Sequence, residues 1–343
     1  MQRYPPMVVR PSRIVAVALV LAMPVAVANC SRILFGIVNA PAHIGQYERH
    51  ASIAYGTSPR QTLDVYAPSA PVPMGARQRP VIVFWYGGVW IRGAKEQYRF
   101  VGAALANAGY VAVLPDYRLY PNVRFPRFVE DGALAVKWVH AHAAEFGGDP
   151  NAVFLMGHSA GAHLAATLAL DPRYLRNVGG DPSWVRAWIG LSGPYAIERQ
   201  FPIVREIFPE AMGAARWQPV SLVNGRSPAA LLIHGTEDYL VHPRDTVELE
   251  RRLRAAGVHV ECRIYAGASH FDTVSALSVP LRFTAPSLAD VRAFVDGLTT
   301  GSAETSAESG TPCPELNLRR DWESPYKTHA TRRRDAADAS AQH

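Results

Sequence analysis

Gly157-His158-Ser159-Ala160-Gly161 is a Gly-x-Ser-x-Gly pentapeptide between two apolar runs, 152–156 and 162–170. The first run has the length of a buried strand and the second that of a buried helix, so the serine is expected on a sharp strand-to-helix turn. On such a turn the hydroxyl points out of the sheet edge, where it can attack an acyl carbon. The turn is crowded, so the residues two before and two after the serine must be small. A chain rich in Gly and Ala can produce the pentapeptide by chance. The strand before it and the helix after it supply the context that a nucleophile requires.

A serine nucleophile needs a base, and the base needs an orienting acid. Two loops that follow strands offer them. His234-Gly235-Thr236-Glu237-Asp238 carries Asp238, and Gly267-Ala268-Ser269-His270 carries His270. The order Ser…Asp…His matches one of the known arrangements of this constellation on an α/β sheet. Glu237 and Asp245 compete with Asp238, and Asp238 is favoured. His234, His242 and His259 compete with His270. His234, at a strand end, reads as a structural hydrogen-bonding group, and His259 lies within a strand. His163 reads as a packed core histidine, and Asp272 as a surface or cap group. The developing oxyanion needs backbone donors. Ala160, at the start of a helix, offers one N–H. Gly87 and Gly88, after an earlier strand, offer the other; a plain Gly-Gly turn is the alternative reading there.

The elements that must carry these residues alternate between strand and helix. Short alternating runs at 52–55 and 61–66 flank a Gly/Pro turn and predict an antiparallel hairpin. A continuous apolar run at 80–86 predicts a strand covered on both faces, 110–114 reads as the next buried strand, and 184–191, 229–234 and 258–265 read as further strands. Helices are expected near 97–108, 128–146, 246–256 and 288–298. This rhythm implies a mostly parallel, doubly wound sheet with right-handed connections. The stretch 195–225 breaks the rhythm and reads as a small cap insertion over the site.

The length of 343 residues allows one large domain or two small ones, and the 48% apolar content is that of a globular protein. The net charge of +6 is modest, with much of it near the N-terminus, and no basic stripe interleaved with aromatics marks a nucleic-acid partner. Cys30, Cys262 and Cys313 are too few and too scattered for a disulfide framework or a zinc site. Residues 1–28 read as an export segment: Arg3, Arg10 and Arg13, then an apolar run broken by Pro24, then Ala26-Val27-Ala28. Three fates are open: cleavage after Ala28, lipid attachment at Cys30, or retention as an anchor. All three place the body outside the cytoplasm, as a periplasmic, extracellular or outward-facing membrane-anchored protein. The expected body is 44–299, followed by a disordered, apolar-poor tail at 300–343.

Gly87-Gly88-Val89-Trp90, Asp116-Tyr117-Arg118-Leu119 with Phe125-Pro126, Gly-His-Ser-Ala-Gly-Ala-His at 157–163, His-Gly-x-x-Asp and a late His resemble, as a set, the α/β-hydrolase esterases. The resemblance covers about 47–298 and is closest to the carboxylesterase branch with an H-G-G-x-W loop, related to hormone-sensitive-lipase-type esterases and kynurenine formamidase. It implies an α/β-hydrolase fold. It implies Ser159 as nucleophile, His270 as base then acid, Asp238 as its orienter, and Gly87, Gly88 and Ala160 as oxyanion donors. No metal or cofactor is implied, and the expected substrate is a small ester of short or medium acyl chain. Trp90, Phe201, Phe208 and Trp217 fit pocket walls, and each also fits plain core. Amide chemistry (a formamidase or exopeptidase) and a non-catalytic binding protein on the same scaffold are the competing readings. One position departs from the pattern: Tyr86 stands where the family has the loop histidine. This puts in doubt the side-chain bonding that holds the loop, and any inference to formamidase activity.

Overall fold

The computed structural model describes residues 35–197, 201–300 and 312–314. The export segment, and the tail apart from Thr300 and 312–314, lie outside the described residues. Among the described residues, eight strands form one sheet in the order β1-β2-β4-β3-β5-β6-β7-β8. β1 (Tyr47–Ala54) and β2 (Thr62–Pro68) form the expected antiparallel hairpin, with β1 beginning earlier than its alternation suggests. β2 runs antiparallel to β4 (Val111–Pro115). From β4 onward the pairing is parallel, through β3 (Arg79–Trp85), β5 (Gly148–His158), β6 (Val185–Leu191), β7 (Ala229–Gly235) and β8 (Val260–Tyr265).

The strand order reverses at β3. The chain crosses from β3 through α1 (Arg99–Asn107) to β4, then returns through α2 (Arg127–His142) to β5 on the other side of β3. Right-handed connections therefore put α1 on one face, and α2, α3 (Ala160–Leu170) and α6 (Arg244–Ala255) on the other. α4 (Arg173–Asn177) and α5 (Pro202–Ile207) are short, and α7 (Asp272–Ser275) and α8 (Ser287–Thr300) follow β8. Covered on both faces, the central strands are continuous apolar runs: Val81–Trp85 and Val153–Met156 are fully buried.

Nucleotides, substrates and catalytic side chains of open α/β sheets gather outside the carboxyl ends of the strands, at such a reversal. Ser159 follows β5, Gly87 and Gly88 follow β3, Asp238 follows β7 and His270 follows β8. Between β6 and β7, the irregular stretch holds α5 and three single turns of 3₁₀ helix, at Glu210–Met212, Ala214–Arg216 and Pro219–Ser221. It packs through Phe208 against Trp90, Phe125 and His163.

The cysteine reading needs correction. Cys262, on the edge strand β8, is disulfide-bonded to Cys313 across a separation of 51 residues. The segment around Cys313 is therefore tied to the body. Spacing cannot reveal one long-range bridge whose second cysteine sits in an apolar-poor stretch.

Candidate active site

Ser159 takes φ 54° and ψ −121°, a conformation that costs a non-glycine residue energy and survives only where its surroundings fix it. Here they do. The Ser159 amide donates to Leu191 O at 2.9 Å, and its own carbonyl accepts from His163 N, starting α3. A Cβ on Gly157 would lie 2.2 Å from Gly161 O, and one on Gly161 would lie 2.0 Å from Trp85 O. Strand and helix thus approach too closely for any side chain at either position. Ala160 N–H lies in the first turn of α3, at the positive end of its dipole.

Asp238 is buried and His270 nearly so, at 1% and 5% exposure. His270 Nδ1 lies 2.7 Å from Asp238 Oδ2. A carboxylate there selects the Nδ1–H tautomer and leaves Nε2 free to accept a proton. The other Asp238 oxygen accepts the amides of Leu240 and Val241, at 2.9 and 2.8 Å, and His234 Nε2 lies 3.0 Å from Oδ2. Burial pushes the Asp238 carboxyl up, but the hydrogen bonds from His234 and His270 outweigh it and hold it well below the usual carboxylate range. Asp238 is thereby kept ionised beside the imidazole. Glu237 points outward to the Tyr239 hydroxyl. His234 is fixed through Nδ1 to Thr246 Oγ1 at 2.7 Å.

The loop after β3 meets Ser159 directly. A Cβ on Gly87 would come 2.9 Å from Ser159 Cβ, and one on Gly88, at φ 128°, would lie 2.1 Å from Arg92 O. Only glycine fits at both. Val89 and Trp90 also take positive φ, at 56° and 58°, so the loop is a run of strained residues. Gly87 has a further engagement: burial pushes the Tyr98 hydroxyl up to about 12, and the Gly87 amide beside it opposes that push. No motif or spacing points to Tyr98 in this position.

Tyr86 directly follows β3, beneath this loop. Its hydroxyl donates to Asp116 Oδ1 at 2.6 Å and accepts from Arg60 Nη2 at 2.6 Å. The same Arg60 nitrogen reaches Gly93 O at 2.9 Å, and Asp116 Oδ1 accepts the Lys95 amide at 2.9 Å. Tyr117 donates its hydroxyl to Tyr86 O at 2.9 Å, and Arg118 forms a bidentate pair with buried Asp131 on α2. Asp116 and Tyr117 thus hold the loop at both ends, and Arg118 ties them to α2. Burial raises the Tyr86 phenol well above its ordinary value, with Tyr117 and Asp116 adding to it.

Trp90 and Trp217, expected as pocket walls, are 3% and 1% exposed. Trp90 packs edge-on to His163 and Phe208, and Phe208 packs on Trp217. They are core here, because the stretch after β6 closes over them. The exposed apolar side chains at the site are instead Val89 and Ile91 beside the glycines, Tyr239 and Leu240 beside Asp238, and Phe271 beside His270. Adjacency to the candidate site residues was their only signal in the sequence.

Residues 63–178 match the family model BD-FAE, and 129–282 match that of the prolyl oligopeptidase family. The chain is 32% identical to the isoprenylcysteine alpha-carbonyl methylesterase of Arabidopsis thaliana over 298 residues, covering 79% of this chain and 68% of that protein. It is 32% identical to a probable isoprenylcysteine alpha-carbonyl methylesterase of Oryza sativa, covering 67% of this chain but only 59% of that protein. The chain thus spans little more than half the length of some of its curated relatives. Among solved structures, esterase B from Lactobacillus rhamnosis with a bound tributyrin phosphonate superposes with a TM-score of 0.68 at 20% identity, covering 86% of this chain and 99% of that one, which speaks to the fold. Motif, topology and relatives agree: the chain belongs to the α/β-hydrolase carboxylesterases, the family that includes the isoprenylcysteine alpha-carbonyl methylesterases.

Proposed function

We propose that this protein hydrolyses carboxylic esters through an acyl-enzyme on Ser159. The observation that carries this reading is the buried Asp238–His270 pair at 2.7 Å, on the same sheet edge as a serine held in a strained turn. His270 Nε2 takes the Ser159 proton as Oγ attacks the ester carbonyl carbon. The oxyanion forms against Ala160 N–H and the Gly88 amide, since the Gly87 amide is engaged by the Tyr98 hydroxyl. His270 then protonates the departing alcohol. Water, deprotonated by His270, attacks the acyl-enzyme, and the acid leaves with Ser159 restored. Asp238 stays ionised throughout and stabilises the imidazolium.

The apolar rim of Val89, Ile91, Tyr239, Leu240 and Phe271 supports a substrate with an apolar acyl or alcohol part. A short or medium acyl ester fits, as does a methyl ester of the kind named in the relatives. The match of 129–282 to the prolyl oligopeptidase family favours a second reading, amide hydrolysis by the same acyl chemistry. Among the described residues no helix is long and apolar enough to cross a membrane. Export is part of the proposal. Its supports are the basic-then-apolar start with Ala26-Val27-Ala28 and a disulfide, a bond that persists in oxidising compartments. A fluorophosphonate should label wild type and not Ser159→Ala. A series of p-nitrophenyl esters of rising chain length, set against an aryl formamide, should show turnover of the esters. Absence of labelling would sink the enzyme reading in favour of a binding protein, and a preference for the formamide would sink the ester reading.

A further inference from the structure

His158, the residue before the nucleophile, has no part in the chemistry above, yet it is buried at 1% exposure. Its Nε2 lies 3.0 Å from the carbonyl oxygen of His270. A carbonyl only accepts, so Nε2 carries the proton. Its Nδ1 is then a bare lone pair, and it is buried with no hydrogen-bond partner. A leucine would fill this space without leaving such an atom, so the ring's value lies in the bond that it donates. The two imidazoles lie 4.8 Å apart, centroid to centroid.

A second chain of contacts reaches the same oxygen. Thr273 Oγ1 donates to His270 O at 3.3 Å, and lies 2.9 Å from Ser192 Oγ. Ser192 is fully buried and held at φ 49° directly after β6. Its neighbour Leu191 accepts the Ser159 amide. The end of β6 therefore touches the nucleophile through one residue and the loop of the base through the next. Asp238 holds the His270 ring at Nδ1 only, and a ring held at one atom can still pivot. Fixing the carbonyl of the same residue removes that freedom.

We infer that His158, with Ser192 and Thr273, forms a clamp on the His270 backbone that keeps its imidazole in line between Asp238 and Ser159. These are positioning residues, and the inference rests on the ester-hydrolase reading only for its kinetic readout. Burial, with His270 nearby, pushes His158 down to about 3, so it remains a neutral donor across the working range.

The test is a set of variants read by kinetics and by proton NMR. His158→Phe keeps a ring and loses the donor, whereas His158→Gln keeps an N–H. A misplacement of about 1 Å at a reacting group can cost about a hundredfold. His158→Phe should therefore lower kcat by about that factor with KM nearly unchanged, and His158→Gln should recover most of the loss. The His270 Nδ1–H proton bonded to Asp238 should exchange faster with water in His158→Phe than in wild type or His158→Gln. If His158→Phe does not fold, as judged by near-UV circular dichroism, Thr273→Val and Ser192→Gly take its place and should lower kcat alone. Full activity in His158→Phe, a loss confined to KM, or no rescue by His158→Gln overturns the clamp. If no ester is turned over by wild type, the function reading fails while the NMR arm still decides: unchanged exchange in His158→Phe overturns the clamp, and faster exchange supports it.

Discussion

Two adjacent carboxylates show how far residue types alone can be read. Glu237 and Asp238 follow the same strand, and only backbone geometry decides which one faces inward. The structure turns Asp238 in, against His270 and two backbone amides, and leaves Glu237 outside with Tyr239. Asp238→Asn should lower kcat by about 10⁴-fold, since an amide in that place favours the wrong imidazole tautomer. Glu237→Gln should leave kcat near wild type, and the opposite pattern in steady-state kinetics would reassign the acid. Tyr86 was legible as a departure from the family pattern, but its partners were not: Arg60 and Asp116 lie 26 and 30 residues away along the chain. Tyr86→Phe strips one hydrogen bond from each of these charged groups and should cost about 1–3 kcal/mol of stability. The hydroxyl braces the loop from beneath, so kcat should fall by about tenfold or less, about 1.4 kcal/mol. The phenol is raised well above its ordinary value, so no alkaline limb of the pH–rate profile should belong to it. An alkaline limb that vanishes in Tyr86→Phe would make the phenol a proton carrier and defeat the bracing account.

Elements were more legible than contacts. The strands and helices were readable because apolar runs and Gly punctuation follow directly from two-sided burial and from helix ends. The closed aromatic box of Trp90, Phe208 and Trp217 was not, because aromatic residues in a stretch without period can equally line a pocket or fill a core. Two histidines on neighbouring elements are buried: His163 on α3, packed in that box and bonded to Trp217 O at 2.7 Å, and His158 at the end of β5, packed against His270. Burial pushes His163 down to about 4 and, with His270 nearby, His158 to about 3. In the unfolded chain both titrate near 6.5. Depressed folded values mean that protonation favours unfolding. The stabilisation is therefore complete above about pH 6.5 and is lost as pH falls towards 4. Where the unfolded chain holds two more protons, the slope from these residues approaches about 2.7 kcal/mol per pH unit. Urea unfolding midpoints at a series of pH values should fall through this window, and His163→Phe should remove about half of the slope. A midpoint independent of pH between 6.5 and 4 would show that these rings are not buried neutral.

For the whole molecule, the far end of the chain carries a contact that composition does not show. Its apolar-poor sequence reads as a dispensable tail, yet Cys313 within it is bonded to Cys262 on β8, the last strand of the sheet. Cys262 is itself buried at 2% exposure, so the bridge ties the late segment to the body rather than to a mobile surface loop. An edge strand is where a sheet is most easily opened, because one side of it has no strand partner. A cross-link closing 51 residues restricts the unfolded chain, and loop entropy alone gives up to about 4 kcal/mol of stability. Cys313→Ser should therefore lower the urea midpoint of the oxidised protein, and truncation after Thr300 should lower it by a similar amount. Dithiothreitol should reproduce the shift in the full chain and leave both variants unmoved, since they have no bridge to lose. The three measurements separate the bond from the segment that carries it. If truncation costs stability and Cys313→Ser does not, packing by the late segment matters and the bridge does not. If neither variant shifts the midpoint and reductant has no effect, the late segment is dispensable and composition alone read it correctly.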